Sequence, residues 1–200
     1  MTIETHTYTA FGKQSLVATG AIEEVALKTK EWQDQGGETV LIFEDQTGQQ
    51  IDLDLRGTSH EALERLQRHP WFLKEEKRTG PGRPKLGVTP REVTLLPRHW
   101  DWLNEQPGGA SVTLRKLVEE KMKRSAGKDR ARKSLEAASR FMWVMAGNLP
   151  HFEEASRALS RKEYESFDRI IETWPNDIRE HVRKLMEKAV RDEREAENEP

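Results

Sequence analysis

In the first third of the chain the spacing of hydrophobic positions alternates between two periods. Short runs with apolar residues at every second position indicate strands, and apolar residues at every third or fourth position indicate helices. The residues between these runs include glycines and an aspartate, which are common in hairpin turns and at helix ends. The pattern predicts the strands Thr7–Phe11, Gln14–Thr19, Thr39–Phe43 and Gln50–Leu55 and the helices Ala21–Gln33 and His60–Arg68. We expect residues 1–73 to form a β-β-α-β-β-α layer with both helices on one face of an antiparallel sheet.

The pattern changes again in residues 91–124, which predict one strand followed by two helices. Arg91–Leu96 mixes β-branched and aliphatic residues, and Pro97 suits the first turn of a helix over Arg98–Gln106. A Pro-Gly-Gly turn ends that helix, and Ser111 stands where the N-cap of the next one is expected. One strand and two short helices bury little surface, so the strand is expected to pair with something else.

From Ser125 onward the hydrophobic spacing is helical throughout, which makes the chain as a whole an α+β protein. Residues 147–150 break the helical pattern. After this break, apolar residues again recur at helical spacing, and the charged tail 193–200 follows them. The predicted segments are an α/β unit over 1–73, a linker over 74–90, the strand-helix-helix module over 91–124, a helical region over 125–192, and the tail.

Composition limits the possible functions. The chain has no cysteine, which excludes disulfides, thiolate metal sites and cysteine nucleophiles. No run of 18 apolar residues occurs, and the first residues lack a secretion-signal pattern, so we expect a cytoplasmic protein without membrane contact. Residues 74–133 carry 16 Lys or Arg and 8 Asp or Glu, whereas the regions on either side are net acidic. A basic centre is expected where a chain meets nucleic acid, although the opposite charges of a dimer can also neutralise one another.

The linker 74–90 is rich in Gly and Pro, which excludes a helix or a central strand. Its Gly82-Arg83-Pro84-Lys85 resembles the core of an AT-hook, a segment that inserts arginines into a narrow A·T minor groove. Pro81 replaces the first arginine of that pattern. A stiff, solvated spacer is the other interpretation of the same residues.

The module 91–124 resembles the ribbon-helix-helix DNA-binding fold, in which two chains pair their strands in the major groove. Gly109-Ala110-Ser111 matches the turn that opens the second helix there, whose N–H groups hold a DNA phosphate. The register of the strand stays open, because either Val93 and Leu95 or Leu96 can point inward. In the first register Glu92 and Thr94 face the groove, and in the second the odd-numbered residues do. Neither face has a row of base-reading side chains.

These patterns select a set of candidate DNA-binding residues. Each is a cation or hydroxyl in or beside the basic centre, suited to a phosphate oxygen or a groove. They are Lys77, Arg78, Arg83, Lys85, Arg91, Thr94, Ser111 and Lys116.

No pattern points to catalysis, a cofactor or a metal. The chain has no P-loop, dinucleotide fingerprint, zinc spacing or Ser-His-Asp order, so we expect no enzymatic activity. Asp52 and Asp54 fall on one face of a predicted strand and could hold a divalent cation, but such pairs are more often a solvated face. His151 and His181 read as surface or capping residues.

Longer stretches, among them FEDQTGQQIDLDLRG, GRPKLGVTPREVTLLPRHWDWLNEQPGGASVTLRKLVEE and RFMWVMAGNLPHFEEASRAL, resemble the bacterial family of domain of unknown function 2239. The resemblance extends over nearly the whole chain and implies a bacterial protein. It brings no known activity.

Together these features favour a homodimeric DNA-binding protein, a transcriptional regulator or nucleoid-associated factor whose partner is double-stranded DNA. The alternative is a protein-interaction or assembly protein with no nucleic-acid role. The sequence does not indicate the operator, the regulated process or any small ligand.

Overall fold

The computed structural model describes residues 6–72 and 87–198. The first of these ranges contains four strands and two helices in the predicted β-β-α-β-β-α order, and the second is helical, so the α+β class is confirmed. The strands are β1 (Tyr8–Gly12), β2 (Ser15–Gly20), β3 (Val40–Glu44) and β4 (Gln49–Ile51). The helices are α1 (Ile22–Asp34), α2 (Ser59–Gln67), α3 (Pro97–Glu105), α4 (Gly109–Ala146), α5 (Phe152–Ser160), α6 (Tyr164–Ile170) and α7 (Asn176–Asn198), with a 3-10 turn over Ile171–Thr173.

The sheet is fully antiparallel, with the strand order β2-β1-β3-β4. β4 ends at Ile51, four residues before the predicted end of the strand. Asp52 and Asp54 therefore lie beyond the sheet, and the Asp54 carboxylate pairs with Arg56 and Arg65. These two guanidinium groups, Arg56 above all, hold the pKa of Asp54 well below its usual range. The described residues contain no group of three His, Asp or Glu side chains able to hold a metal ion.

Both faces of the sheet are buried, which corrects the expectation that helices cover only one. Tyr8, Ala10 and Ile42 pack with α1 and α2, whereas Phe11 and Phe43 on the other face pack with the C-terminal helices. All five residues of β1 are buried. A strand with apolar side chains on both faces needs cover on both, so the C-terminal helices complete the core of the sheet.

The chain divides into two compact units. The main unit consists of residues 1–73 and 127–200, and the central unit of residues 74–126. α4 belongs to both, because it continues through Lys123 and Arg124, where the sequence predicted a helix end. Lys and Arg are good helix formers, and no Gly or Pro interrupts the chain there until Gly127, which the helix tolerates.

The C-terminal helices follow the predicted stripes. The break at residues 147–150 is confirmed, and the buried aromatic and aliphatic side chains of α4, α6 and α7 form one core cluster. α7 continues to Asn198, so residues 193–198 are helical where the sequence suggested a fraying tail. Within residues 6–72 and 87–198, no helix combines the length and apolar character needed to cross a membrane.

Candidate functional site in the central unit

Residues 91–96 form no strand in the described structure, so the predicted strand is wrong for the isolated chain. Their side chains are exposed except that of Leu95, which is half-buried. Leu96 has extended backbone angles and precedes α3, with Pro97 in the first turn as expected. A strand is defined by its ladder of hydrogen bonds, and within residues 6–72 and 87–198 no second strand pairs with this segment.

α3 buries its leucine but leaves both of its tryptophans partly exposed. Leu103 is only 3% exposed, but Trp100 and Trp102 are 36% and 48% exposed. The Pro-Gly-Gly turn has the backbone that its composition predicts, with φ at +92° for Gly108 and +74° for Gly109. Left-handed backbone of this kind favours glycine, which explains both residues.

α4 begins at Gly109, three residues earlier than expected, so Ser111 lies in its first turn and not at the N-cap. The Ser111 side chain is exposed. At helical spacing Arg115 lies on the same side of α4 as Ser111, while Lys116 points about 140° away. Arg115 is therefore the cation beside Ser111, although it is not among the predicted DNA-binding residues. The i, i+4 spacing of Ser111 and Arg115 in the sequence could have identified it.

A hollow of about 450 Å³ lies between the segment before α3, α3 itself and α4. Its walls are mainly apolar and come from residues that are close together only after the two helices pack. They are Leu95, Arg98, His99, Trp102, Leu103, Leu114 and Leu117. Leu95 thus faces the helices, which favours the first of the two registers considered for residues 91–96.

The exposed apolar side chains of this unit extend well beyond the hollow. Eight of the 13 exposed large hydrophobic residues in the described part of the chain lie between residues 88 and 122. We call this set the apolar face: Val88, Val93, Leu96, Trp100, Trp102, Leu117, Val118 and Met122. This concentration of exposed large apolar side chains in one short part of the chain indicates a site where another molecule binds.

The segments that carry the apolar face also carry exposed cations. Arg91 and Thr94 are exposed in the extended segment, and Lys116 is exposed in α4. The other exposed cations of the described part of this unit are Arg98, Arg115, Lys121, Lys123 and Arg124. Arg124 pairs with Glu120 at 2.6 Å. The four remaining candidates, Lys77, Arg78, Arg83 and Lys85, lie outside the described residues together with the AT-hook-like segment.

In the main unit one polar group departs from its predicted role. His181 is buried, not a surface or capping residue, and its ring contacts Phe11 and Phe141. Its Nε2 lies 3.7 Å from Oδ1 of Asp45, which also accepts a hydrogen bond from Thr9. Burial lowers the pKa of His181 to about 4, so the ring is neutral. His151, by contrast, is exposed at the N-cap position of α5.

Comparison with known proteins places the chain in a family without assigning an activity. No curated protein and no solved structure matches it. One family model matches residues 7–186, most of the chain and both units. The chain therefore belongs to the family described as "Uncharacterized protein conserved in bacteria (DUF2239)".

Proposed function

We propose that the protein is a DNA-binding protein that acts as a dimer through its central unit. The observation that carries this proposal is the apolar face, which leaves the central unit with one fully buried large side chain, Leu103, in its described part. A unit with so small a core is stable only if a second molecule covers it. A second copy of the same surface is the simplest cover, since closed twofold dimers are the commonest assemblies.

The extended segment supports the same arrangement. Residues 91–96 lie directly before α3, and all of them except the half-buried Leu95 are exposed. When two such segments pair antiparallel, each supplies the partner that the other lacks, and Val93 and Leu95 close over the helices. This is the arrangement of the ribbon-helix-helix fold, to which the order of elements is similar.

The register that Leu95 favours sends Thr94 and Glu92 outward from the paired ribbon. Thr94 can donate to or accept from a base edge or a phosphate, but a single threonine per chain reads little sequence. We therefore assign most of the affinity to phosphate contacts, which are independent of sequence.

The cations that would supply these contacts are Arg91, Arg115 and Lys116, with Ser111 and the first N–H groups of α4 at a phosphate. Lys77, Arg78, Arg83 and Lys85 would extend the contact along the duplex. The charge of +8 over residues 74–133 is consistent with this role.

Dimerisation is tested by Val118→Glu. Val118 is 54% exposed in the single chain and lies outside the core of the main unit, so the new charge acts on the dimer contact and leaves that core intact. Val144→Glu, on the same helix and 48% exposed but outside the apolar face, is the matched control. Sedimentation at roughly 20 µM, where specific dimers are populated, should give a dimer for the wild type and the control and a monomer for Val118→Glu. A monomeric, folded wild type contradicts the proposal.

DNA binding is tested by fluorescence anisotropy with A·T-rich and G·C-rich duplexes over a salt series. With four to six phosphate contacts per dimer, the log–log salt slope should be roughly −4 to −5. Arg83→Ala with Lys85→Ala should flatten the slope and weaken the A·T-rich duplex more, because that groove is narrower. Arg91→Ala should weaken both duplexes alike, and Lys133→Ala, on α4 outside the central unit, is the control.

The second candidate function is a protein-interaction role without nucleic acid. Exposed tryptophans favour it, because Trp100 and Trp102 are of the residue type enriched at protein interfaces. The absence of binding to either duplex below about 50 mM salt, where electrostatic attraction is strongest, would remove the DNA proposal and leave this one.

A further inference from the structure

A second cavity, of about 430 Å³, lies in the main unit between α4 and α7. Its apolar lining consists of Ala131 and Leu135 of α4 and Ala189 and Ala196 of α7. On each helix these residues recur at the spacing of one face, so an alanine-leucine face of α4 stands opposite an alanine face of α7. The volume is within the range of small-ligand sites.

Polar groups beside the cavity hold the two helices at a fixed separation. Ser134 of α4 and Asp192 of α7 are buried and hydrogen-bonded to each other. The Lys188 ammonium donates to both, at 2.9 Å to Ser134 Oγ and 3.0 Å to Asp192 Oδ2. Arg130 pairs with Asp192 from the other side. Because these buried groups lose their partners if the helices move, the alanine faces cannot close up to fill the space.

The rim of the cavity carries both signs of charge, but one carboxylate is already satisfied. Glu193 pairs with Lys162 and accepts a hydrogen bond of 2.8 Å from the Tyr164 hydroxyl. Lys162 above all holds the pKa of Glu193 below its usual range. Glu193 therefore stays ionised and paired, and it contributes little net repulsion to an anion in the cavity.

Two cations of the rim remain available. Lys128 forms no ion pair with any residue that the structure describes. Arg132 pairs with Asp129 and Glu136, but its side chain is 59% exposed, where such pairs are weak and exchange readily. Glu197 is the one further carboxylate of the described lining.

Lys162 has a backbone that its residue type does not favour. Its φ is +60°, at the position after the C-cap of α5 where glycine is most common. A lysine at this position is better explained by its side chain, which reaches Glu193 at the rim, than by the turn itself.

We propose that this cavity binds a small amphipathic carboxylate, whose apolar body fills the alanine-lined space and whose charge meets Lys128 and Arg132. The cavity lies in the main unit, and binding of a ligand there does not require that the protein binds DNA. It assigns a ligand-binding role to the helical region, separate from the apolar face.

The probe is octanoate, titrated into the full-length protein by calorimetry, with 1-octanol and octylammonium as matched compounds. Octanoate should bind at one site per chain, and it should bind more tightly than the neutral 1-octanol or the cationic octylammonium. Lys128→Gln should weaken it roughly tenfold, the effect of losing one charge-assisted hydrogen bond. Lys133→Gln, an exposed lysine of the same helix outside the cavity, should leave the affinity unchanged. Glu197→Gln should strengthen binding by removing a like charge.

Ala131→Leu tests whether the probe occupies this cavity, because the larger side chain fills it. Ala126→Leu, at an exposed position of the same helix, is the control, and circular dichroism establishes that both variants fold. Loss of octanoate binding in Ala131→Leu alone supports the site. Equal binding of octanoate and octylammonium, equal effects of the two lysine variants, or unchanged affinity in folded Ala131→Leu would each overturn it.

Discussion

The two units of this protein bury apolar surface to very different degrees. Of 31 buried apolar residues in the described part of the chain, 30 belong to the main unit and only Leu103 to the central unit. The main unit covers both faces of its sheet from within the chain. The central unit presents its hydrophobic residues to solvent. The difference indicates that one unit is a completed fold and the other a surface that needs a partner.

The largest expected effect concerns the completeness of the main unit. A fragment of residues 1–73 loses the helices that cover Phe11 and Phe43, so it should be unfolded or lack fixed tertiary structure. The sequence alone predicted residues 1–73 as an α/β unit separate from the helical region, which would lead one to expect a folded fragment. Near-ultraviolet circular dichroism of the fragment, with the full-length chain as reference, separates the two expectations. A cooperative thermal transition in the fragment would show that the second face of the sheet needs no cover.

A smaller effect comes from truncating one core side chain. Phe141 is completely buried, with its ring 5.3 Å from Phe11 and 5.0 Å from Phe43. Phe141→Ala should lower the free energy of unfolding by about 3–5 kcal/mol. Trp102→Ala, which truncates a half-exposed ring of the central unit, should lower the free energy of unfolding of the monomer much less. Urea unfolding of both variants in the dimer-free Val118→Glu background gives the comparison, and equal losses would contradict it.

The buried histidine of the main unit predicts a dependence on pH. Its folded-state pKa of about 4 is below the usual value of about 6.5, so below pH 6.5 the unfolded chain binds a proton that the folded chain excludes. Stability should be complete above about pH 6.5 and fall toward pH 4, by roughly 3 kcal/mol in total. Asp45, whose carboxylate opposes the shift, and Lys184, whose charge adds to it, are the charged groups acting on the ring.

His181→Gln should remove this part of the pH dependence, whereas the exposed His151→Gln should leave it in place. The measurement is the urea midpoint from about pH 7 down to about pH 4.5, where the two protonation states of the unfolded chain exchange. An unchanged profile in His181→Gln would assign the acid sensitivity to other groups.

The smallest effect is at the helix ends, where the two units also differ. α2 of the main unit begins with a capping box, in which the Glu61 N–H donates to Thr58 Oγ1 and the Glu61 carboxylate accepts from the Thr58 N–H. α3 of the central unit begins at Pro97, and its N-cap residue Leu96 provides no side-chain cap. Thr58→Ala should therefore lower the free energy of unfolding by about 1 kcal/mol. Thr58→Ser keeps the hydroxyl and should cost little, and thermal unfolding of the pair measures the difference.

Hydrophobic periodicity by itself determined most of the elements of this protein, but not the conformation of residues 91–96 or the length of α4. The strands and helices of residues 7–68, the start of α3 at Pro97 and the break at residues 147–150 follow from local side-chain spacing and from the backbone preferences of Gly and Pro. The Pro-Gly-Gly turn likewise follows from its residues, because left-handed backbone at Gly108 and Gly109 is a local property. The family, whose model matches residues 7–186, was also recognisable from the sequence alone.

Only the tertiary structure decided what those elements cover. Burial of His181 between Phe11 and Phe141 depends on residues about 40 and 170 positions away along the chain, which no local pattern encodes. The cavity between α4 and α7 depends on which helix faces meet and on the buried Ser134–Asp192 contact that fixes their distance. The extended state of residues 91–96 has the same origin, since a strand exists only when a second strand supplies its hydrogen bonds.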